Sequence, residues 1–174
     1  MNTILETKRL RLREFQADDT QFIVELLNSP GWLQFIGDRN VRTEDQARSY
    51  LENGPIKSYR ENGYGLSLVE RKEDNRPIGM CGIINRDSLD TPDIGYALLP
   101  DFIGLGYAFE IASATLAYAK IILKIPKISA ITTPENIKSI RLLEKIGLKF
   151  NRKIFFPDSN EELLLYSTIN PEIS

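Results

Sequence analysis

Leu98-Leu99-Pro100-Asp101-Phe102-Ile103-Gly104-Leu105-Gly106-Tyr107-Ala108 decides the fold: a strand running from Asp93 to Leu99 stops at Pro100 and passes through a glycine-bearing turn directly into a helix. Beyond it Ala108, Ile111, Ala112, Thr115, Leu116 and Ala119 recur at helical spacing, which predicts a long helix from about Gly104–Gly106 to just before Pro126. Glycines let a backbone approach a ligand closely, and the unpaired amides and positive dipole end of a helix's first turn attract anions. The junction therefore reads as a place where main-chain donors hold a phosphate or pyrophosphate without charged side chains, although two glycines also serve a turn that merely has to be tight. Two nucleotide patterns are excluded. A dinucleotide fingerprint needs a third glycine where Phe109 stands, and a P-loop needs Gly-Lys-Ser/Thr, which is absent.

Downstream of the long helix, Ile128 to Thr133 reads as a short strand, and Asn136 as the cap of a helix carrying Ile140, Leu143 and Ile146 that Gly147 closes. Two more strands follow at Phe150–Phe156 and Glu161–Thr168. Upstream, Tyr64–Glu70, Pro77–Asn85 and Asp93–Leu99 are strand-like runs separated by the polar segments RKEDNR and RDSLDT, the pattern of an antiparallel meander. Before them come an alternating strand at Thr7–Arg13 and a helix capped by Asp18 with Phe22, Ile23, Leu26 and Leu27 on its apolar stripe, ended by Ser29-Pro30-Gly31. A second helix starts at Thr43, where Thr43 and Gln46 have capping-box spacing, and Gly54-Pro55 interrupts it before a continuation through Tyr59. The order βααβββαβαββ predicts an α+β fold: one mixed, twisted sheet of about seven strands flanked by four helices, antiparallel at first and parallel where the long helix crosses over. No internal repeat, low-complexity tract or linker interrupts residues 1–174, which read as one domain, with a frayed tail after Asn170.

Composition narrows the chemistry. With 22 basic and 24 acidic residues the net charge is −2, which offers no electrostatic attraction to nucleic acid or an anionic membrane. The N-terminal MNTILETKRLRLREF lacks a signal peptide's apolar stretch and no window is apolar enough to span a bilayer, so the expected location is the cytoplasm. Cys81 is the only cysteine and there is no histidine, which removes an internal disulfide, zinc-finger spacings and Ser-His or Cys-His nucleophiles. No metal site is expected, and an enzyme built from this chain must move protons with carboxylates, Tyr, Lys, Ser or water.

The glycine turn resembles motif A of the GNAT acetyltransferases, Gln/Arg-x-x-Gly-x-Gly/Ala, with Ile103, Gly106 and Ala108 in its three defining positions; Ile103 departs from the usual polar residue. The segments ETKRLRLREF, NSPGWLQFIGDRNVRTEDQARSYL, DIGYALLPDFIGLGYA and ENIKSIRLLEKIGLKF follow in the order seen in the subfamily similar to ribosomal-protein N-terminal (RimJ/RimL-like) acetyltransferases. The resemblance implies a GNAT-like fold and a cytoplasmic N-acetyltransferase moving acetyl from acetyl-CoA to a primary amine, a protein N-terminus or a small amine, by direct attack in a ternary complex. A non-catalytic module that keeps the coenzyme cradle as sensor or scaffold is the alternative. Monomer and homodimer both stay open.

By the same resemblance Ile103, Gly104, Leu105, Gly106, Tyr107 and Ala108 hold the pyrophosphate, while Leu98 and Leu99 line the pantetheine arm where strands 93–99 and 128–133 splay apart. Asn136 matches the asparagine that bonds that arm and Ser139 the serine that approaches its sulfur, yet Asn136 is also among the best helix caps. Leu143 stands where many members carry a general-acid tyrosine, which leaves Ser139 as the donor to the departing thiolate. The amine must arrive unprotonated, so a base is needed: Asp93 is the first candidate and Glu70 the second, each equally placed to be a solvated strand-end charge. A strand bulge near Leu98 or Leu99 is expected to offer an amide to the oxyanion. Trp32 and Phe35 form either an apolar wall for the acceptor or part of the core beneath the connection. Cys81 is expected to face the interior without chemistry.

Overall fold

The computed structural model describes residues 2–156 and 159–169. The chain opens with a hairpin: strand β1 (Thr3–Glu6) pairs with β2 (Leu10–Arg13), and the Thr7 amide closes the turn on the Leu10 carbonyl at 2.9 Å. The expected single strand Thr7–Arg13 thus spans the turn and the whole of β2, and among the described residues the sheet has eight strands where about seven were expected. Among the described residues six α-helices replace the four expected, because prolines begin helices as well as end them. Helix α1 (Thr20–Leu27) is followed by the short α2 (Pro30–Phe35), and α3 (Glu44–Asn53) by α4 (Pro55–Asn62), with Pro30 and Pro55 in the first turns, where a missing N–H costs nothing.

The Thr43–Gln46 capping box is present at α3, whereas α1 is preceded by Asp19 instead of Asp18 and has no side-chain cap. The reason is electrostatic. Both Asp19 oxygens accept from the Arg13 guanidinium at 2.9 Å, so the carboxylate holds β2 to the start of α1 instead of bonding α1's amides.

The meander of β3 (Leu66–Arg71), β4 (Arg76–Ile84) and β5 (Asp93–Leu98) leads through one 3-10 turn at Pro100–Phe102 into α5 (Tyr107–Ile121). Then come β6 (Ser129–Thr132), α6 (Ile137–Lys145), β7 (Lys149–Phe155) and β8 (Glu162–Ser167). Gly147 adopts φ 103, the left-handed stop expected after α6. Sheet order is β1-β2-β3-β4-β5-β6-β8-β7, and every adjacent pair is antiparallel except β5 and β6.

Alternation assigns the two faces. Cys81 lies opposite Tyr96 and Ile83 opposite Ile94, and these residues turn toward α5 and α6; Ile83 and Ile94 pack with Ala112, Leu116 and Leu143. The intervening residues Leu68 and Met80 point to the other face and belong to a second cluster with Leu26, Leu27 and Leu51 of α1 and α3. Each such aliphatic side chain removed from water contributes about 1.5–3 kcal/mol, so the two clusters clamp the sheet from both sides. The stretch after Asn170, expected to fray, lies outside the described residues.

Candidate active site

The sheet is continuous except at one seam. The parallel pairing of β5 with β6 holds only at Asp93 and Ser129, where the Ser129 amide bonds the Pro92 carbonyl at 2.9 Å; beyond that point the two strands diverge. Hydrogen-bond direction alternates along a strand. The Leu99 amide points the other way, to Ile78 of β4 (2.8 Å), and therefore Tyr96 and Leu98 present their main-chain groups to the gap. Two expectations change here. Leu99 is buried with its amide already bonded, and the β4–β5 register runs from Gly79–Leu98 to Ile84–Asp93 without the expected bulge, because an intact antiparallel ladder on the β4 side holds β5 straight.

At the open end of the gap lies the glycine turn. Gly104 (φ 83) and Gly106 (φ 85) are both left-handed, and Gly106 precedes α5 without any side-chain cap. Among the described residues, the amides of Gly104, Leu105, Gly106, Tyr107, Ala108 and Phe109 make no hydrogen bond. Six consecutive free donors at a helix start form an anion cradle of the kind that holds a diphosphate. The space fits it: a Cβ added at Gly104 meets nothing within 4 Å. Ile103 contributes less, since its amide bonds the Pro100 carbonyl at 3.2 Å and its side chain is exposed; Tyr107 is buried and only its backbone faces outward.

Arg9 completes the cradle. Its Nε donates to Glu110 Oε1 at 2.7 Å, its Nη1 to the Leu105 carbonyl at 3.1 Å, and its guanidinium lies 4.2 Å above the Tyr107 ring. Nη2 is left over, 3.3 Å from where a Gly106 Cβ would stand. Glu110 also accepts from Thr7 Oγ1 and the Arg9 amide; burial acts to raise its pKa, but these hydrogen bonds outweigh it and hold the carboxyl below its usual range.

Across the gap, Asn136 Oδ1 accepts from the Ser139 amide at 3.2 Å and caps α6, leaving its amide nitrogen free of that task. The Ser139 hydroxyl lies 2.8 Å from the Tyr96 hydroxyl of β5. Burial pushes the Tyr96 phenol up to about 12, against the opposing hydrogen bond with Ser139. The Thr133 hydroxyl, just past the end of β6, is buried without a partner among the described residues.

The two candidate bases have different surroundings. Asp93 is 1% exposed, receives Arg86 Nε at 3.0 and 3.2 Å, and has its pKa raised because burial outweighs that guanidinium. Its register partner Ile84, together with Arg39, Tyr50, Lys57 and Asp87, lines an open cleft of about 920 Å³ between α3, α4 and the sheet. Glu70 is 6% exposed on β3, with one oxygen held by Arg11 (3.1 Å) and the other by Arg13 (3.0 Å).

The profile of the Acetyltransferase (GNAT) domain matches residues 9–149, spanning β2 to the start of β7. The chain belongs to the GNAT acetyltransferase family. Among its GNAT relatives is the "Uncharacterized N-acetyltransferase YnaD" of Bacillus subtilis strain 168, 32% identical over 161 residues and covered to 90% in both chains. A GNAT-family acetyltransferase from Bacillus anthracis superimposes with a TM-score of 0.78 at 26% identity, over 95% of this chain and 98% of that one. The fold is also that of RimL, a ribosomal L7/L12 alpha-N-protein acetyltransferase solved with coenzyme A, at a TM-score of 0.81, 16% identity and coverage of 97% and 98%.

Set on this GNAT frame, Leu98, Gly104, Leu105, Gly106 and Ala108 surround the open end of the gap, and Asn136 and Ser139 stand across it. Glu70 is held apart by its arginines. Trp32 is 5% exposed within the core cluster and Phe35 is half-buried, and neither lines the cleft. Cys81 is fully buried, which pushes its thiol up to about 12 and leaves it inert. Sequence reading missed Arg9, which lies in the β1–β2 turn, and Tyr96, which sits in the regular alternation of β5. Among the described residues no helix is long and apolar enough to cross a membrane, and no three His, Cys, Asp or Glu side chains are grouped to hold a metal.

Proposed function

We propose that this acetyltransferase takes its acetyl group from acetyl-CoA and passes it by direct attack to a primary amine bound in the same complex. The observation that carries the reading is the run of six unbonded amides from Gly104 to Phe109, opening onto a gap whose strand edge is unpaired. Acetyl-CoA held there supplies the thioester carbonyl that an amine attacks. The cradle amides and Arg9 Nη2 bind the diphosphate, the main-chain groups of Tyr96 and Leu98 pair with the extended arm, Asn136 Nδ2 adds a donor, and Ser139 places its hydroxyl at the sulfur end.

Asp93 takes the proton of the incoming ammonium from the cleft side. An amine's intrinsic pKa is about 8–10, so a base is required, and a carboxylate raised by burial is better matched to that task than an ordinary one. Because burial raises its pKa, the acid limb of kcat/KM lies higher than an ordinary aspartate would set it. Asp93→Asn should remove that limb and lower kcat by about 100-fold while leaving acetyl-CoA affinity unchanged. The cleft presents both charge signs, Arg39 and Lys57 against Asp45, Glu61 and Asp87, a lining that suits a peptide N-terminus better than a polycation.

Calorimetry with acetyl-CoA, followed by free-thiol release on a panel of peptides and small amines, tests the reading. Micromolar binding and thiol release with at least one amine support it. Absence of acetyl-CoA binding contradicts it.

A further inference from the structure

Ser139 by itself is a poor proton source, because an aliphatic hydroxyl yields its proton readily only when a neighbour restores it at the same time. We propose that the Tyr96 phenol, acting through the Ser139 hydroxyl, is the proton reserve for the departing thiolate. The inference rests on acetyl-CoA occupying the gap between β5 and β6.

Three observations carry it. Tyr96 springs from the strand that lines the gap, on the face covered by α5 and α6, and its hydroxyl reaches across to Ser139 Oγ at 2.8 Å and lies 3.5 Å from the Ser139 carbonyl. One turn further along α6, Leu143 is apolar and 1% exposed, so the helix has no hydroxyl of its own at that position. Tyr96 also packs against both core clusters, which fixes the ring where it stands. The phenol, raised by burial, stays protonated at every pH where an amine is transferred, and its register partner on β4 is the Cys81 thiol, itself raised to about 12 and neutral.

The proton count closes. The amine lone pair forms the N–C bond, the C–S bond breaks, and the sulfur pair takes the Ser139 proton while Ser139 takes that of Tyr96. Nitrogen, arriving as ammonium, sheds two protons, one through Asp93 and one on forming the amide, and both reach solvent. The phenolate recovers one proton from solvent, so the net change is one proton moved from nitrogen to sulfur and one released.

A mere strut between β5 and α6 gives a different signature from a relay. Tyr96→Phe in the full chain, assayed with acetyl-CoA and an amine that wild type turns over, should lower kcat about 10- to 100-fold with the KM for acetyl-CoA unchanged, and bring the solvent deuterium isotope effect on kcat toward one. Ser139→Ala should cost the same, and the double variant no more than either. A raised KM with unchanged kcat, or additive losses, overturns the relay while leaving the acetyl-CoA reading intact. Wild type that binds no acetyl-CoA by calorimetry overturns both. If Tyr96→Phe does not fold, 3-fluorotyrosine at position 96 replaces it: a kcat that follows the acidity of the phenol supports the relay, and an unchanged kcat overturns it.

Discussion

The two parts of the sheet behave differently at their junction. From β1 to β5 each neighbouring pair is antiparallel and in register over most of its length, and β6, β8 and β7 form an equally regular unit, yet the two units meet only at Asp93 and Ser129. Strands can part there because each is held from its other side, β5 by β4 and β6 by β8. The β5 edge from Gly95 to Leu98 is half-buried and unpaired with β6, which leaves its main-chain groups available to a ligand's own donors and acceptors. Regular pairing gives stability on either side, and the seam gives function.

The same contrast separates the two acidic side chains. Glu70, inside the regular part, has both oxygens taken by arginines, whereas Asp93, at the seam, has one arginine partner and a raised pKa. Substitutions on the two sides should therefore fail differently. The largest effect is expected for Gly106→Asp, which sets a carboxylate among the cradle amides; like-charge contact with a diphosphate costs about 4 kcal/mol, so calorimetry should show acetyl-CoA affinity falling about 1,000-fold, while the left-handed φ at position 106 lowers stability by only about 1 kcal/mol. Glu70→Gln should do the reverse, lowering unfolding free energy by about 1–2 kcal/mol in urea titrations because Arg11 and Arg13 lose a charged acceptor while Arg13 keeps Asp19, with acetyl-CoA affinity kept.

Smaller effects sharpen the comparison. Arg9→Ala should weaken acetyl-CoA binding about tenfold and leave the KM for acetyl-pantetheine, which lacks the diphosphate, unaltered. Arg86→Gln removes the charge that opposes the burial of Asp93, so the Asp93 pKa rises further and the acid limb of kcat/KM moves to higher pH. A limb that stays in place or moves down would take Asp93 out of the base role.

How much of this was legible in the sequence follows from the range of each signal. The meander, the long helix, the capping box at Thr43 and the Asn136 cap rest on local spacing, and local spacing described them well. The β1–β2 turn was hidden because Thr7-Lys8-Arg9 has no Gly, Pro or Asn; the turn is made by Thr7, whose amide donates to the Leu10 carbonyl and whose hydroxyl oxygen accepts from the Leu10 amide. Pro30 reads as a stop although it begins α2, since the same ring chemistry suits both uses. In the site, the glycine cradle was visible from its own residues. Tyr96 and Arg9 were not, because their partners Ser139 and Glu110 lie far along the chain and strand alternation assigns both residues to packing or solvent.

An amide chemical-shift titration of the full chain with acetyl-CoA tests most directly whether main-chain donors at the seam bind the coenzyme. Large shifts are expected at Tyr96, Leu98 and Gly104 to Phe109, with Leu99 and strands β1 to β3 nearly unmoved. Shifts confined to other parts of the sheet, or none at the glycine turn at saturating acetyl-CoA, would contradict it.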